Sequence, residues 1–130
     1  MSFATQLSAL AIRIGTEIKG LIRPEHPGLA RAWVNFGYVG GAIQINASHN
    51  VSGVTRLAAG RYRVTFVTPF ADTDYCWLAF ARSNTNSRNQ RMAIARSTTD
   101  AKTTAYVEVI CATAAGSLAD TTEVNLMVFR

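Results

Sequence analysis

The sequence predicts a mainly β protein with one amphipathic helix at its N-terminus, and two observations carry this prediction. Over the first 23 residues, apolar side chains recur three and four positions apart, which is the spacing of one helix face. After residue 30, apolar and polar residues alternate, and turn-forming residues separate the alternating stretches, as in antiparallel strands. We therefore expect a helix within 1–23, a Pro/Gly linker at 24–30 and an antiparallel β-domain at 31–130.

The N-terminal helix is expected to carry an apolar stripe with heptad spacing. Its members are Leu7, Ala11, Ile14, Ile18 and Leu21. Isoleucine at both seam positions favours three strands over two. Gly15 and Gly20 each weaken the helix by about 1 kcal/mol, so it is expected to be marginal without a partner. The stripe predicts a segment for homotrimerisation or for docking.

The β-domain is predicted from eight strand-like stretches that follow the linker. They lie at 32–36, 42–48, 51–57, 61–68, 75–82, 92–96, 105–111 and 124–129. Because no helical pattern separates them, we expect an antiparallel β-sandwich or flattened barrel of about seven to eight strands. Trp33 lies where the first strand leaves the linker, and we expect it to brace this junction together with Phe36.

Two stretches show the alternation most clearly and are interpreted as half-buried strands. The core-facing residues of the first are expected to be Ile43, Ile45 and Ala47. Those of the second are expected to be Tyr62, Val64 and Phe66. In the second stretch Arg61 and Arg63 then point outward, and we expect them to contact acidic neighbours or anionic cell-surface glycans.

Composition and charge narrow the classes of partner. The 130-residue chain is 48% hydrophobic and only 16% charged, so we expect some apolar surface to be buried between subunits. The net charge is +5, but the arginines are scattered and form no basic run, so no nucleic-acid partner is expected. Charged residues from Arg13 onward interrupt the apolar N-terminal stretch, so neither membrane insertion nor a secretory signal is expected. The sequence thus predicts a chain that folds in a cytoplasm.

No constellation of residues predicts a reaction, a cofactor or a metal ion. His26 and His49 are isolated, and we interpret them as a linker residue and a turn or subunit-contact residue. Asp72 and Asp74 lack the glycine and the distal glutamate of a calcium loop. Cys76 and Cys111 lie in strand-like stretches and are expected to be buried free thiols. We therefore expect no enzyme activity, no cofactor and no metal site.

The most polar stretch of the chain lies between two predicted strands, at residues 83–91. Its amide and guanidinium groups are Asn84, Asn86, Arg88, Asn89 and Arg91. Such side chains hydrogen-bond to sugars and carboxylates. The stretch is interpreted either as a solvated hairpin tip or as a contact surface.

Several short motifs resemble the β-domain found in tail-fibre and other fibre-like proteins of tailed bacteriophages. They occur in the order AWVNF at 32–36, AIQINASHNVSGVTR at 42–56 and AAGRYRVTFVTPFADTDYCWLAFA at 58–81. The N-terminal stretch ATQLSALAIRIGTEIKGLI at 4–22 is similar to helical segments of phage fibre chains. Together these stretches cover about half of the chain.

The resemblance implies a homotrimeric virion structural protein, assembled in the host cytoplasm. It implies a short fibre or a capsid decoration protein that binds other virion proteins of the capsid, neck or tail. Host attachment through a cell-surface glycan is a further expectation. The alternative is a receptor-binding tail-fibre tip or a carbohydrate-binding module.

Overall fold

The computed structural model describes residues 1–23, 26–83 and 90–130. A helix, α1, runs from Phe3–Leu21, and eight strands follow in these parts of the chain. The strands are β1 (Ala30–Val39), β2 (Ala42–His49), β3 (Val51–Ala58), β4 (Arg61–Phe66), β5 (Cys76–Arg82), β6 (Arg91–Ile94), β7 (Tyr106–Thr113) and β8 (Glu123–Phe129). The predicted mainly β class with an N-terminal helix is confirmed.

The strands form two antiparallel four-stranded sheets that enclose one core. The first sheet has the order β2-β1-β8-β5 and the second has the order β3-β4-β7-β6. Alternate residues of the central strands face inward, including Val34, Leu126, Val64 and Val109, and each is at most 2% exposed. This layered arrangement is the predicted β-sandwich.

Aromatic rings fill the centre and one end of this core. The rings of Phe36 and Tyr62 meet edge to face across the two sheets, with centroids 5.2 Å apart. Toward one end of the core Phe66 contacts both Phe70 and Tyr75 in the same edge-to-face geometry. Such pairs add to the stabilisation that burial of the rings already provides.

The chain passes from the first sheet to the second at Asn50. This residue has a φ of 52°, a left-handed conformation that asparagine tolerates better than most residues. Its side-chain amide donates to the carbonyl oxygens of Arg31 and Thr68, and its Oδ1 accepts from the Thr68 N–H at 2.8 Å. These bonds fix the corner between β2 and β3.

In strand β2 the structure contradicts the predicted row of core-facing residues. Ile43 is half-buried, but Ile45 is 40% exposed and Ala47 is exposed, so this set does not form one core-facing row. A β-bulge in the pairing of β1 with β2 is the reason, because Ala47 lies opposite outward-facing Asn35 while Ile45 lies opposite core-facing Phe36. The alternation cannot continue across a bulge.

The two cysteines are free, and their environments differ. Cys111 is fully buried, as predicted, and burial raises the pKa of its thiol. Cys76 is exposed, so its predicted burial was wrong. Strand β5 places Cys76 on the solvent-facing side of the first sheet, opposite Phe129, while its neighbour Trp77 packs against the core.

Helix α1 begins with an N-cap, and along its length it has no packing partner in the described chain. The Ser2 hydroxyl accepts a hydrogen bond from the Thr5 N–H at 3.3 Å, as an N-cap does. None of the residues of the helix is buried. Among the residues that the structure describes, no helix has both the length and the apolar content to cross a membrane.

Candidate interaction surfaces

The first candidate surface is the apolar stripe of helix α1. Its members lie on one helix face and are all exposed: Leu7, Ala11, Ile14, Ile18 and Leu21. Even the least exposed of the large ones, Ile14, has 47% of its surface open to water. The stripe therefore lies together as predicted and has no partner within the described chain.

Outside the stripe, helix α1 carries an exposed ion pair. Arg13 Nε donates to Glu17 Oε1 at 2.9 Å, one helical turn away. Both side chains are largely exposed, so this pair contributes only a few tenths of a kcal/mol. The isolated helix is thus stabilised mainly by its own backbone hydrogen bonds. A short helix stabilised in this way alone is marginal in water.

A second candidate surface lies on the outward side of the first sheet, and we call it the apolar face. Its members are Trp33, Cys76, Leu78, Phe80, Met127 and Phe129. Trp33 lies directly opposite Met127, and Met127 lies directly opposite Leu78, so three neighbouring strands present one continuous apolar row. Phe80, at 68% exposure, is the most exposed large hydrophobic side chain in the described part of the β-domain. Residues of this kind normally face a core or an interface.

A row of carboxamides crosses the same side of the sheet beside the apolar face, and we call it the asparagine row. Asn46 Nδ2 donates to Asn35 Oδ1 at 2.6 Å, and Asn35 Nδ2 donates to Asn125 Oδ1 at 2.5 Å. At its ends Gln44 donates to Asn46 and Asn125 donates to Glu123 Oε1. These bonds connect β2, β1 and β8 through their side chains, which supports the register of the strands.

An open groove lies between the asparagine row and the apolar face. It has a volume of about 200 Å³ and is lined by Trp33, Val34, Asn35, Asn125, Leu126 and Met127. Trp33 is 37% exposed and forms one wall of the groove. The groove offers an apolar platform next to hydrogen-bonding amides.

The two residues predicted to brace the junction point to opposite sides of β1. Trp33 lies on the apolar face, whereas Phe36 is fully buried against Tyr62. The two positions differ by three residues, and a strand alternates with a period of two, so they cannot share a face. Phe36 is therefore a core residue, and of the two residues only Trp33 lies on the surface near the linker.

Arg61 and Arg63 point outward from β4 as predicted, but carboxylates of the same chain engage them. Arg63 donates to Glu108 Oε1 from Nε at 3.0 Å and from Nη2 at 2.7 Å. Its guanidinium also lies over the Tyr106 ring, 4.2 Å from the centroid. Arg61 lies 3.4 Å from Asp100 Oδ1. These contacts fasten residues 96–102 onto the second sheet, so both arginines are structural residues here.

The two carboxylates of this cluster are buried and ionised. The Arg96 side chain lowers the pKa of Asp100 and lies 2.8 Å from its Oδ2. Burial alone would raise the pKa of Glu108, but hydrogen bonds from the Ala101 N–H and from Arg63 hold it below its usual value. The cluster leaves little free positive charge for an outside anion.

The predicted contact residues Asn84, Asn86, Arg88 and Asn89 lie outside the described residues. Arg91 is described and begins β6, where it is half-buried opposite Thr113. Its Nε is buried without a hydrogen-bond partner among the described atoms. In the described parts of the chain, no group of three histidine, cysteine or acidic side chains is arranged to hold a metal ion.

Asp120 ties the loop before β8 to the hairpin of β3 and β4. Its carboxylate accepts hydrogen bonds from Arg56 Nη2 at 2.8 Å, from the Gly60 N–H at 2.9 Å and from the Tyr62 hydroxyl at 2.7 Å. The Arg56 side chain is the main cause of a pKa lowered to about 2 for this carboxyl. Burial of the ring, together with the hydrogen bond to Asp120, raises the pKa of Tyr62.

We expect Asp120→Asn to lower the free energy of unfolding at pH 7 by about 2 kcal/mol, because the amide cannot accept from all of these donors. The folded pKa lies below the unfolded one, so the stabilisation is complete above pH 4 and is lost as pH falls toward 2. Urea denaturation of both proteins at pH 7 and pH 2.5 measures this. An equal difference at both pH values would contradict the assignment.

No family model, curated protein or solved structure matches the chain.

The apolar face and the asparagine row were not predicted from the sequence. The stretch CWLAFAR of β5 is apolar on both sides, so it shows no alternation that would separate an outward face from the core. Strand order also brings β5 and β1, which are distant in sequence, to the two sides of β8. The only signal for the row was an asparagine at outward positions of β1, β2 and β8.

Proposed function

We propose that this protein is a structural component of a tailed-bacteriophage virion, a short homotrimeric fibre or a capsid decoration protein. One observation carries the proposal: helix α1 buries none of its residues, although its apolar stripe has heptad spacing with isoleucine at both seam positions, which favours three strands. A helix of this kind in water requires partners, and identical copies supply matching stripes. The resemblance of the sequence motifs to phage fibre chains supports the same assignment.

The β-sandwich that follows the helix suits a part that projects from a particle. Its core is continuous between the sheets, and its corner at Asn50 and its loop at Asp120 are fixed by several hydrogen bonds each. Three linked copies of such a domain convert weak individual contacts into avidity, with gains of about 10² to 10⁴. The proposed action is mechanical and multivalent.

Localisation on the particle tests this function. Virions of the phage whose genome encodes the chain should carry it at the head, neck or tail, in threes at each position, as seen by antibody labelling in electron microscopy. Particles assembled with Ile14→Asp should lack it, because the stripe is broken, whereas Ile12→Asp particles should keep it. Presence in the infected cell but absence from purified particles would overturn the proposal.

A second candidate function is attachment to a host-surface glycan. The groove beside Trp33 favours it, because aromatic platforms next to carboxamides suit sugars. This function requires the groove to stay open in the assembled protein. The accessibility of the apolar face in the assembled protein therefore decides whether the groove can serve glycan attachment.

A further inference from the structure

The apolar face is graded along the direction of the strands. At the end where β1 begins, the row from Trp33 through Met127 to Leu78 is uncharged, and Cys76 and Phe129 extend it. Toward the other end the asparagine row follows on β2, β1 and β8, with Phe80 opposite Asn125 on β5, and then the Arg82–Glu123 ion pair at 3.1 Å. The uncharged row thus lies at the end of the sheet where the chain enters β1 from the linker.

From this gradient we propose that the apolar face is a second self-contact, covered by the β-domain of another copy of the chain. The proposal rests on the proposed function, because it needs helix α1 to assemble identical copies. It adds the surface through which the β-domains meet and the orientation in which they do so. The asparagine row would then lie at the rim of the contact, in water.

The length of the connection between α1 and β1 makes another copy the nearest partner for this face. Eight residues, 22–29, separate the end of the helix from the start of β1 and span at most about 29 Å. In a parallel bundle, all copies of β1 therefore begin close to the same axis. A short tether of this kind raises the effective concentration of neighbouring β-domains to the millimolar range.

Charge also favours contact between identical copies. The chain carries a net charge of +5, so most pairs of identical surfaces would repel each other. The members of the apolar face carry no charge, and the two ion pairs beside it, Arg82–Glu123 and Arg130–Asp72, are each neutral as a unit. This side of the molecule can therefore approach its own copy without that cost.

The exposed area is consistent with an interface built from two parts. The apolar face exposes roughly 400 Å² of apolar surface, which is in the range of the largest patch on a typical monomer. It is too small alone for a standard interface of about 800 Å² per partner. The stripe of helix α1 exposes a comparable area, so the two surfaces together reach the required size.

Thiol accessibility tests the proposal in the full chain, because Cys76 lies on the apolar face and Cys111 is fully buried in the core. In the assembled protein we expect Cys76 to react with a thiol reagent such as DTNB at least about tenfold more slowly than in the Ile14→Asp monomer. Cys111 should stay unreactive in both, which shows that both remain folded. Solution mass measured on the same samples reports the assembly.

A substitution on the apolar face gives an independent arm. Leu78→Glu places a charge on an exposed position, so the fold should survive, and the helix should still hold the copies together. We expect it to restore the reactivity of Cys76. A carboxylate near Cys76 disfavours the thiolate, so a faster reaction could not come from the charge itself. Met92→Glu is the matched control, because Met92 is similarly exposed on the second sheet and its replacement should leave Cys76 protected.

The outcomes separate this proposal from the proposed function. A trimer in which Cys76 reacts as fast as in the Ile14→Asp monomer would overturn the self-contact and leave the proposed function standing. If Cys76 then becomes protected on adding a host polysaccharide, the face is a glycan platform instead. An unmodified chain that is monomeric would overturn both the trimer and the self-contact.

Discussion

Replacing Ile14 by aspartate is expected to convert the protein from a trimer to a monomer. Ile14 lies in the middle of the apolar stripe of helix α1, and a carboxylate there would have to be buried against the other helices. An unpaired buried charge costs several kcal/mol per copy, which exceeds what a short bundle can supply. Sedimentation velocity should show the mass fall to that of a single 14.1 kDa chain.

Ile12→Asp is the matched control for this experiment. It makes the same chemical change only two residues away, but Ile12 lies off the stripe and is 70% exposed. We expect this variant to remain a trimer. If both variants dissociate, the effect is a loss of helix rather than of the stripe, and if neither does, the stripe is not the assembly element.

Replacing Gly37 by alanine is expected to destabilise the β-domain by about 3 kcal/mol or more. A Cβ at this buried position would lie 2.0 Å from the carbonyl oxygen of Thr122 and 2.4 Å from its carbonyl carbon. Both are backbone atoms, and the neighbouring bond from the Tyr38 N–H to the Thr121 oxygen, at 2.9 Å, holds the two segments together. Strand β1 would have to move away from the segment that leads into β8.

Gly53→Ala provides the comparison, because Gly53 also lies within a strand but a Cβ there would have open space for 4 Å around it. We expect its free energy of unfolding to stay within about 0.5 kcal/mol of the unmodified chain. Urea denaturation followed by far-ultraviolet circular dichroism measures both variants. A Gly37→Ala protein as stable as Gly53→Ala would mean that the close approach to Thr122 is not present in solution.

The positions of the strands could be predicted from the sequence because they depend on local signals. Alternation placed Tyr62, Val64 and Phe66 in the core, and turn residues separated the eight stretches from one another. The apolar stripe of α1 was predictable for the same reason, since a helix face depends only on residues three and four apart. Local periodicity therefore predicted the elements and the first candidate surface.

What depends on strand order could not be predicted in this way. The bulge opposite Asn35 turned Ala47 outward, and nothing in the alternation of β2 indicates it. Arg63 was placed on the correct side of β4, but its partner Glu108 comes from β7, 45 residues further along the chain. The apolar face likewise exists only because β8 lies between β1 and β5.

The solution mass of the unmodified 130-residue chain tests the central claim most directly. Light scattering coupled to size exclusion, across a roughly hundredfold range of concentration, should give three times the 14.1 kDa of one chain. That result would support assembly through helix α1. A mass of one chain at every concentration would contradict the account, because the exposed stripe would then have no copy to bind.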